Sequence, residues 1–187
     1  VSVHGANRLG SNSLLDIVVF GRAAANRCAE TITPGANQPT LPQTGIDKAI
    51  ERFDKIRNSD GELTTAEIRA DMQDVMQKHA AVFRTGDTLA EGVDKMNKIY
   101  QDFKNVKVED RGMIWNSDLM ETFELANLLE CAQPSIQGGL NRTESRGAHA
   151  REDYPDRNDD EWMKHTLAWV DEDGQCEIDF RPVHAYT

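Results

Sequence analysis

The sequence predicts a mainly α protein, an antiparallel helical bundle closed by a small C-terminal β hairpin. Three observations predict it. Apolar residues recur at steps of three and four through the segments that follow Ile46. Thr64 is followed at the third position by Glu67, and Thr88 by Glu91. In that pattern a hydroxyl and a carboxylate each cover an orphan N–H at a helix start. Near the end, β-like runs at 166–170 and 176–180 flank Asp171-Glu172-Asp173-Gly174, whose Asp-Gly pair favours a hairpin turn.

The first helix is expected after Asn12-Ser13, both good capping types, and carries Leu14, Leu15, Val18, Val19 and Phe20 beside Ala23, Ala24 and Ala25. A run this apolar is expected to be buried on most faces, against a large partner body. Residues 31–43 hold Pro34, Gly35, Pro39 and Pro42 among polar residues, which is linker composition and places a domain boundary there, dividing 1–43 from 44–187. Ile46, Ile50 and Phe53 make the next stripe. Ile68, Met72, Val75, Met76, His79, Val82 and Phe83 make another, and Leu89, Val93, Met96, Tyr100 and Phe103 a third. A last helix near 117–136 carries Leu119, Phe123, Leu125, Ala126, Leu128 and Leu129, and Pro134 is expected to kink or end it. After Gly138-Gly139 the periodicity dissolves.

The chain has 187 residues, 39% hydrophobic and 28% charged, which suffices for one sizeable domain or one and a fraction. No apolar run approaches the roughly 20 residues of a membrane span. The 32 acidic residues against 21 basic ones leave a charge of -11, and no basic stripe offsets it, so no nucleic-acid partner is expected. Cys28, Cys131 and Cys176 lie far apart without metal-ligand spacing, and read as separate buried or half-buried thiols of an intracellular, not secreted, protein. The opening Val1-Ser2-Val3-His4 reads as mid-element, so the chain is expected to be a piece of a longer protein.

Residues 58–67 imitate the back half of a calcium-binding EF-hand loop, but its first position would be Ile56, which offers no side-chain oxygen. A turn followed by a helix cap explains every residue there. His4, His79, His149, His165 and His184 do not cluster, and His79 sits on an apolar stripe as a core histidine would; no metal is expected. Trp115, Trp162 and Trp169 are expected to pack in the core. The acidic 152–161 stretch reads as a solvated loop, with Arg151 and Arg157 available for internal pairing. The segment His4-Gly5-Ala6-Asn7-Arg8-Leu9-Gly10-Ser11-Asn12-Ser13-Leu14-Leu15-Asp16 differs from these. Small residues let the backbone approach a ligand, the following helix start favours an anion or polarised carbonyl, and Arg8 offers a fork that matches a carboxylate.

That segment resembles the motif of the flavoprotein subunits of succinate dehydrogenase and fumarate reductase, shared more loosely with aspartate oxidases. A second stretch, Arg142-Thr143-Glu144-Ser145-Arg146-Gly147-Ala148-His149-Ala150-Arg151-Glu152-Asp153-Tyr154-Pro155, with Trp162 and Lys164-His165-Thr166 after it, is similar to the C-terminal part of the succinate dehydrogenase type. The resemblance implies a spectrin-repeat-like bundle at 44–187, preceded at 1–43 by a stub of the FAD-binding domain. It implies that Arg8 binds a carboxylate of the C4 dicarboxylate substrate, succinate or fumarate, and that Ser13 and Leu14 contact the cofactor FAD. In the complete enzyme it implies oxidation of succinate to fumarate by hydride transfer to FAD, with electrons passed to quinone; the alternatives are a fumarate reductase or related flavoprotein, or, for the isolated chain, a non-catalytic helical interaction domain. The implied partners are an iron-sulfur subunit, membrane-anchor subunits and a flavin-attachment assembly factor, on the cytoplasmic face of a bacterial inner membrane or the matrix side of a mitochondrial one. The dinucleotide fingerprint, the flavin-linking His and the proton-transfer Arg of the family are not in this sequence. The isolated chain is therefore expected to be inactive, without a catalytic residue of its own.

Overall fold

The structure is a computed structural model and describes residue 10 and residues 12–183. The chain divides into two compact units, Val1–Lys48 and Ala49–Thr187. In the first, helix α1 spans Asn12–Thr31. Thr31 ends it by turning its hydroxyl back onto the Arg27 carbonyl, and Ile32 donates to Cys28. None of its residues is buried, and Leu14, Leu15, Ile17, Val18 and Val19 are all exposed. The expectation of a helix buried on most faces is therefore not met within this chain. Helix α2, Gln43–Arg57, follows and runs across the division between the units.

The second unit is built on α3 (Thr65–His79), α4 (Gly86–Asp102) and α5 (Ser117–Asn141), which pack against one another pairwise. Two short parallel strand pairs fix their directions. β1 (Leu63–Thr64), just before α3, pairs with β3 (Val106–Lys107), just after α4. The start of α3 therefore lies beside the end of α4, so these helices are antiparallel. β2 (Phe83–Arg84), between α3 and α4, pairs with β4 (Ala150–Arg151), beyond the end of α5. That makes α5 antiparallel to α4 in turn. Ile68, Leu89, Met96, Leu125, Leu129 and Ile136 fill the centre with almost no exposed surface. A side cluster of Ile56, Val108 and Leu119 holds the end of α2, where Phe53 stacks on Phe123 with centroids 5.6 Å apart.

Local chemistry accounts for where the helices begin. Thr64 and Glu67 form the expected reciprocal cap, the Thr64 hydroxyl accepting from the Glu67 amide and the Glu67 carboxylate from the Thr64 amide. The cap expected at Thr88 and Glu91 is not formed. α4 starts earlier, its N-cap is Thr85, which accepts from the Thr88 amide, and Glu91 instead pairs with Lys95 one turn on. α5 starts on the Asn116 side chain, which accepts from the Leu119 amide. Pro134 does not end α5, which continues past Gly138-Gly139 to Asn141. Val82 and Phe83 leave the α3 stripe and are exposed, because the helix stops at His79. His79 is buried, its Nδ1 3.1 Å from the Thr88 carbonyl and its Nε2 3.1 Å from Lys95 Nζ.

The hairpin pairs β5 (Lys164–Val170) antiparallel with β6 (Cys176–Pro182), in a register that sets Val170 opposite Cys176 and Thr166 opposite Phe180. Gly174 supplies the positive φ of the turn, +77°, and its lack of a side chain makes room for the Tyr100 ring. In the imitated calcium loop, Gly61 donates to the Val106 carbonyl, and a Cβ there would collide with the Asn105 backbone. Strand packing thus accounts for that glycine. Of the tryptophans only Trp162 is in the core; Trp115 and Trp169 are exposed, contrary to expectation. Cys28 and Cys131 are also exposed rather than buried, and only Cys176 is half-buried.

Gly92 is buried in α4 with the His79 Cβ and the Ile136 Cδ1 at 2.5 and 2.7 Å from where its own Cβ would lie. Gly92→Ala is therefore expected to destabilise the second unit by about 1–3 kcal/mol through overpacking. The urea unfolding midpoint measures it, and an unchanged midpoint would refute this tight joint of α3, α4 and α5.

Candidate functional site

Of the three residues singled out by the sequence, Ser13 and Leu14 fall in the first turn of α1, Ser13 half-buried and Leu14 exposed. Arg8 lies outside the described residues. The helix begins at Asn12, and its first turn holds no acidic residue. A helix start presents backbone N–H groups that have no partner inside the helix, together with the positive end of its dipole. Beside that start run the exposed aliphatic side chains of Leu14, Leu15 and Val18. Apolar surface next to a helix start suits a flat ring system carrying polar edge atoms and developing negative charge. These residues therefore fit a flavin.

A second cluster is more tightly organised than the sequence suggested. Glu144 has no exposed surface and is held by three partners: Arg142 Nη1 at 2.5 Å, Arg146 Nε at 2.7 Å and the Asn158 amide at 2.9 Å. Burial alone would raise the Glu144 pKa, but the hydrogen bonds from Arg146, the Asn158 amide and Arg142 outweigh it and hold the carboxyl below its ordinary value. Arg146 and Arg157 both reach Asp159, whose carboxyl they lower to about 2, Arg157 contributing most. Arg142 goes on to donate to the Trp162 and Lys164 carbonyls, which ties the hairpin to the end of α5.

Arg151 is buried as well. Its guanidinium donates to the carbonyls of Gly139, Leu140 and Arg142 at the end of α5 and pairs with Asp153 at 2.8 Å. The expectation of internal pairing for Arg151 and Arg157 holds. Next to it, Arg84 caps the end of α3 through the Ala80 and Ala81 carbonyls and lies 2.8 Å from His149 Nδ1, while His149 Nε2 lies 3.1 Å from the Arg142 carbonyl. That arrangement suits a neutral imidazole protonated on Nε2. Burial is the main influence that lowers the His149 pKa, joined by the charges of Arg84, Arg151 and Arg142, against an opposing pull from the Arg142 carbonyl. The sequence held this cluster only as four arginines, Arg142, Arg146, Arg151 and Arg157, close to Glu144, and periodicity could not reveal it because it forms in a loop. Its guanidinium groups are all engaged within the chain, so it is a structural hub and offers none of them to a substrate.

Among the described residues no group of three or more His, Cys, Asp or Glu side chains is arranged to hold a metal ion. Residues 69–187 match a family model described as the fumarate reductase flavoprotein C-terminal region. The succinate dehydrogenase flavoprotein subunit of Rickettsia bellii is 55% identical over 98% of this chain, which spans 31% of that relative. The mitochondrial succinate dehydrogenase [ubiquinone] flavoprotein subunit of Oryza sativa is 54% identical over 100% of the chain and 29% of its own length. Among solved structures, an E. coli quinol fumarate reductase variant superposes with a TM-score of 0.91 at 35% identity, over 100% of this chain and 32% of that one. The chain thus spans about a third of the length of the curated relatives it matches.

Two outcomes are expected for the hub. Glu144→Gln removes a buried counter-charge from two guanidinium groups and is expected to cost about 3–5 kcal/mol of stability, read from urea unfolding. The depressed His149 pKa means that the unfolded chain takes up a proton near pH 6.5 while the folded one does not. Stability from this group is therefore full above pH 6.5 and falls as pH drops below it. Thermal unfolding from about pH 7.5 to 5 reads the decline, and His149→Gln should flatten it; an equal slope in the variant would remove His149 as its source.

Proposed function

Because the chain belongs to the fumarate reductase flavoprotein C-terminal family, we propose that it is the C-terminal part of a succinate dehydrogenase flavoprotein subunit. In its complete form that subunit would oxidise succinate to fumarate and pass the electrons towards quinone. The observation that carries this reading is continuity. The Rickettsia bellii and Oryza sativa relatives, both named succinate dehydrogenase, are more than half identical over almost the whole chain, the α1 segment and the bundle together. A fumarate reductase is the second reading, favoured by the fit to the E. coli structure, but identity there falls to 35%.

In this proposal residues 1–43 close the FAD-binding domain and 44–187 form the supporting helical domain. FAD, when bound, supplies the hydride acceptor. Arg8 grips one carboxylate of the C4 dicarboxylate through parallel N–H donors, which fixes the direction of the reacting C–H bond. Ser13 and Leu14 line the flavin side of the same segment. The α1 start stabilises negative charge as it develops beside it, and the aliphatic side chains there keep water away. No residue of this chain is assigned the proton transfer, so the chain alone is expected to lack turnover. The complete subunit would work with an iron-sulfur subunit and membrane-anchor subunits, after loading with the help of a flavin-attachment factor. It would sit peripherally on the cytoplasmic face of a bacterial inner membrane or the mitochondrial matrix side. In keeping with a peripheral place, no helix among the described residues is long and apolar enough to cross a membrane.

In the complete enzyme, Arg8→Ala is expected to raise KM and lower kcat, reducing kcat/KM for succinate on the order of 100-fold through loss of a charge-assisted pair. The flavin absorbance should remain. Near-normal steady-state kinetics would remove Arg8 from the site.

A further inference from the structure

Between β3 and α5 the chain turns outward and exposes three consecutive large apolar side chains: Met113 at 66%, Ile114 at 81% and Trp115 at 98%, with Met120 at 61% one turn into α5. An open depression of about 480 Å³ lies beside them, floored by Phe53 and Leu119. Exposing nearly a whole indole to water is unfavourable, and nothing in the core requires it.

The loop is nevertheless fastened in this form. The buried Asn116 side chain donates to the Asp110 carbonyl at 2.5 Å and the Gly112 carbonyl at 2.9 Å while capping α5. The Asp110 carboxylate accepts from the Gly112 amide, and the Asp118 carboxylate accepts from the amides of Glu109 and Asp110. Arg57 holds the Arg111 carbonyl from α2. Between these anchors Trp115 adopts a left-handed φ of +52°, which an aromatic residue rarely occupies. The anchors over-determine a conformation that turns the apolar tip outward, and a rigid aromatic tip is the kind of group that dominates protein interfaces.

Charge selects the occupant. Residues 109–124 carry Glu109, Asp110, Asp118, Glu121 and Glu124 against the single Arg111; with the ion-pair partners of this stretch, Asp60, Lys107 and Arg69, counted in, six carboxylates still face three cations. A net acidic excess beside an apolar tip repels an anionic lipid surface and an identical copy of itself, and it complements lysine and arginine. We infer that the 110–116 loop is a docking tip whose Trp115 enters an apolar pocket rimmed by basic side chains on another polypeptide of the assembly. This rests on the reading above that the complete subunit works in a multi-subunit enzyme.

The test uses the complete, flavin-loaded subunit and the remaining subunits of the enzyme purified together without it. Trp115→Ala is expected to weaken their association about thirtyfold, as loss of an interface anchor does. Wild-type association should itself weaken as salt rises. Because Trp115 is almost fully exposed, the variant should melt at the wild-type temperature and have its flavin bleached by succinate as before. Unchanged affinity with bleaching intact overturns the docking tip and leaves the proposed function standing. A wild-type subunit whose flavin succinate does not bleach removes the proposed function, and the docking tip with it. Trp115-dependent binding to phosphatidylserine vesicles, or a Trp115-dependent homodimer, also overturns the assignment.

Discussion

The second unit depends on one buried guanidinium. Arg151 stands where α5 ends, and a helix end leaves carbonyls that nothing inside the helix can satisfy. It answers three of them, at Gly139, Leu140 and Arg142, and so stabilises the negative end of the α5 dipole. Its own charge is matched by Asp153, and Asp153 also accepts the Gly86 amide at the first residue of α4. One ion pair thus joins the end of one core helix to the start of another. Removing Asp153 would strand the Arg151 charge in a place that water reaches poorly.

From that joint the rest of the C-terminal region is tied down by polar contacts rather than by a second apolar core. Arg142 leaves the end of α5 and reaches the Lys164 carbonyl at the head of the hairpin, while Glu144 gathers Arg142 and Arg146 and fixes the Asn158 amide. Lys164 in turn lies over the Phe180 ring at 4.0 Å, and Trp162 meets Phe180 edge to face. Because each charged group has several partners, the region has few alternative arrangements. That suits the supporting role proposed for this domain.

The sequence disclosed the helices because their stripes obey one period, and the hairpin because Asp-Gly has a narrow conformational use. It disclosed the cap at Thr64 but misplaced the next. Thr85 and Thr88 lie three residues apart, both carry a hydroxyl, and only the folded chain decides which stands outside the helix. Pro134 could stay within α5 because that position loses only one hydrogen bond while the helix on both sides is buried. Trp115 misled for the opposite reason: its position beside a core-forming helix start says nothing of the Asn116 anchors that turn it outward. The candidate site was legible as a motif, in Arg8 and the residues around the α1 start. The hub was legible only as a density of arginines, because loop residues have no period to betray their partners.

Electrostatics also bears on where a dicarboxylate could be received in so acidic a chain. Of the 32 acidic residues none precedes Asp16, and Arg8 lies within that stretch. Elsewhere the arginines of the hub are engaged by Glu144, Asp153, Asp159 and backbone carbonyls, so none of them is offered to a substrate. A doubly charged anion approaching a body of charge -11 is repelled over most of its surface. The two longest stretches without a carboxylate, 1–15 and 31–46, each run into a helix start, and of the two only the first carries an arginine. An arginine within an acid-free stretch is the charge argument for the substrate role proposed for Arg8.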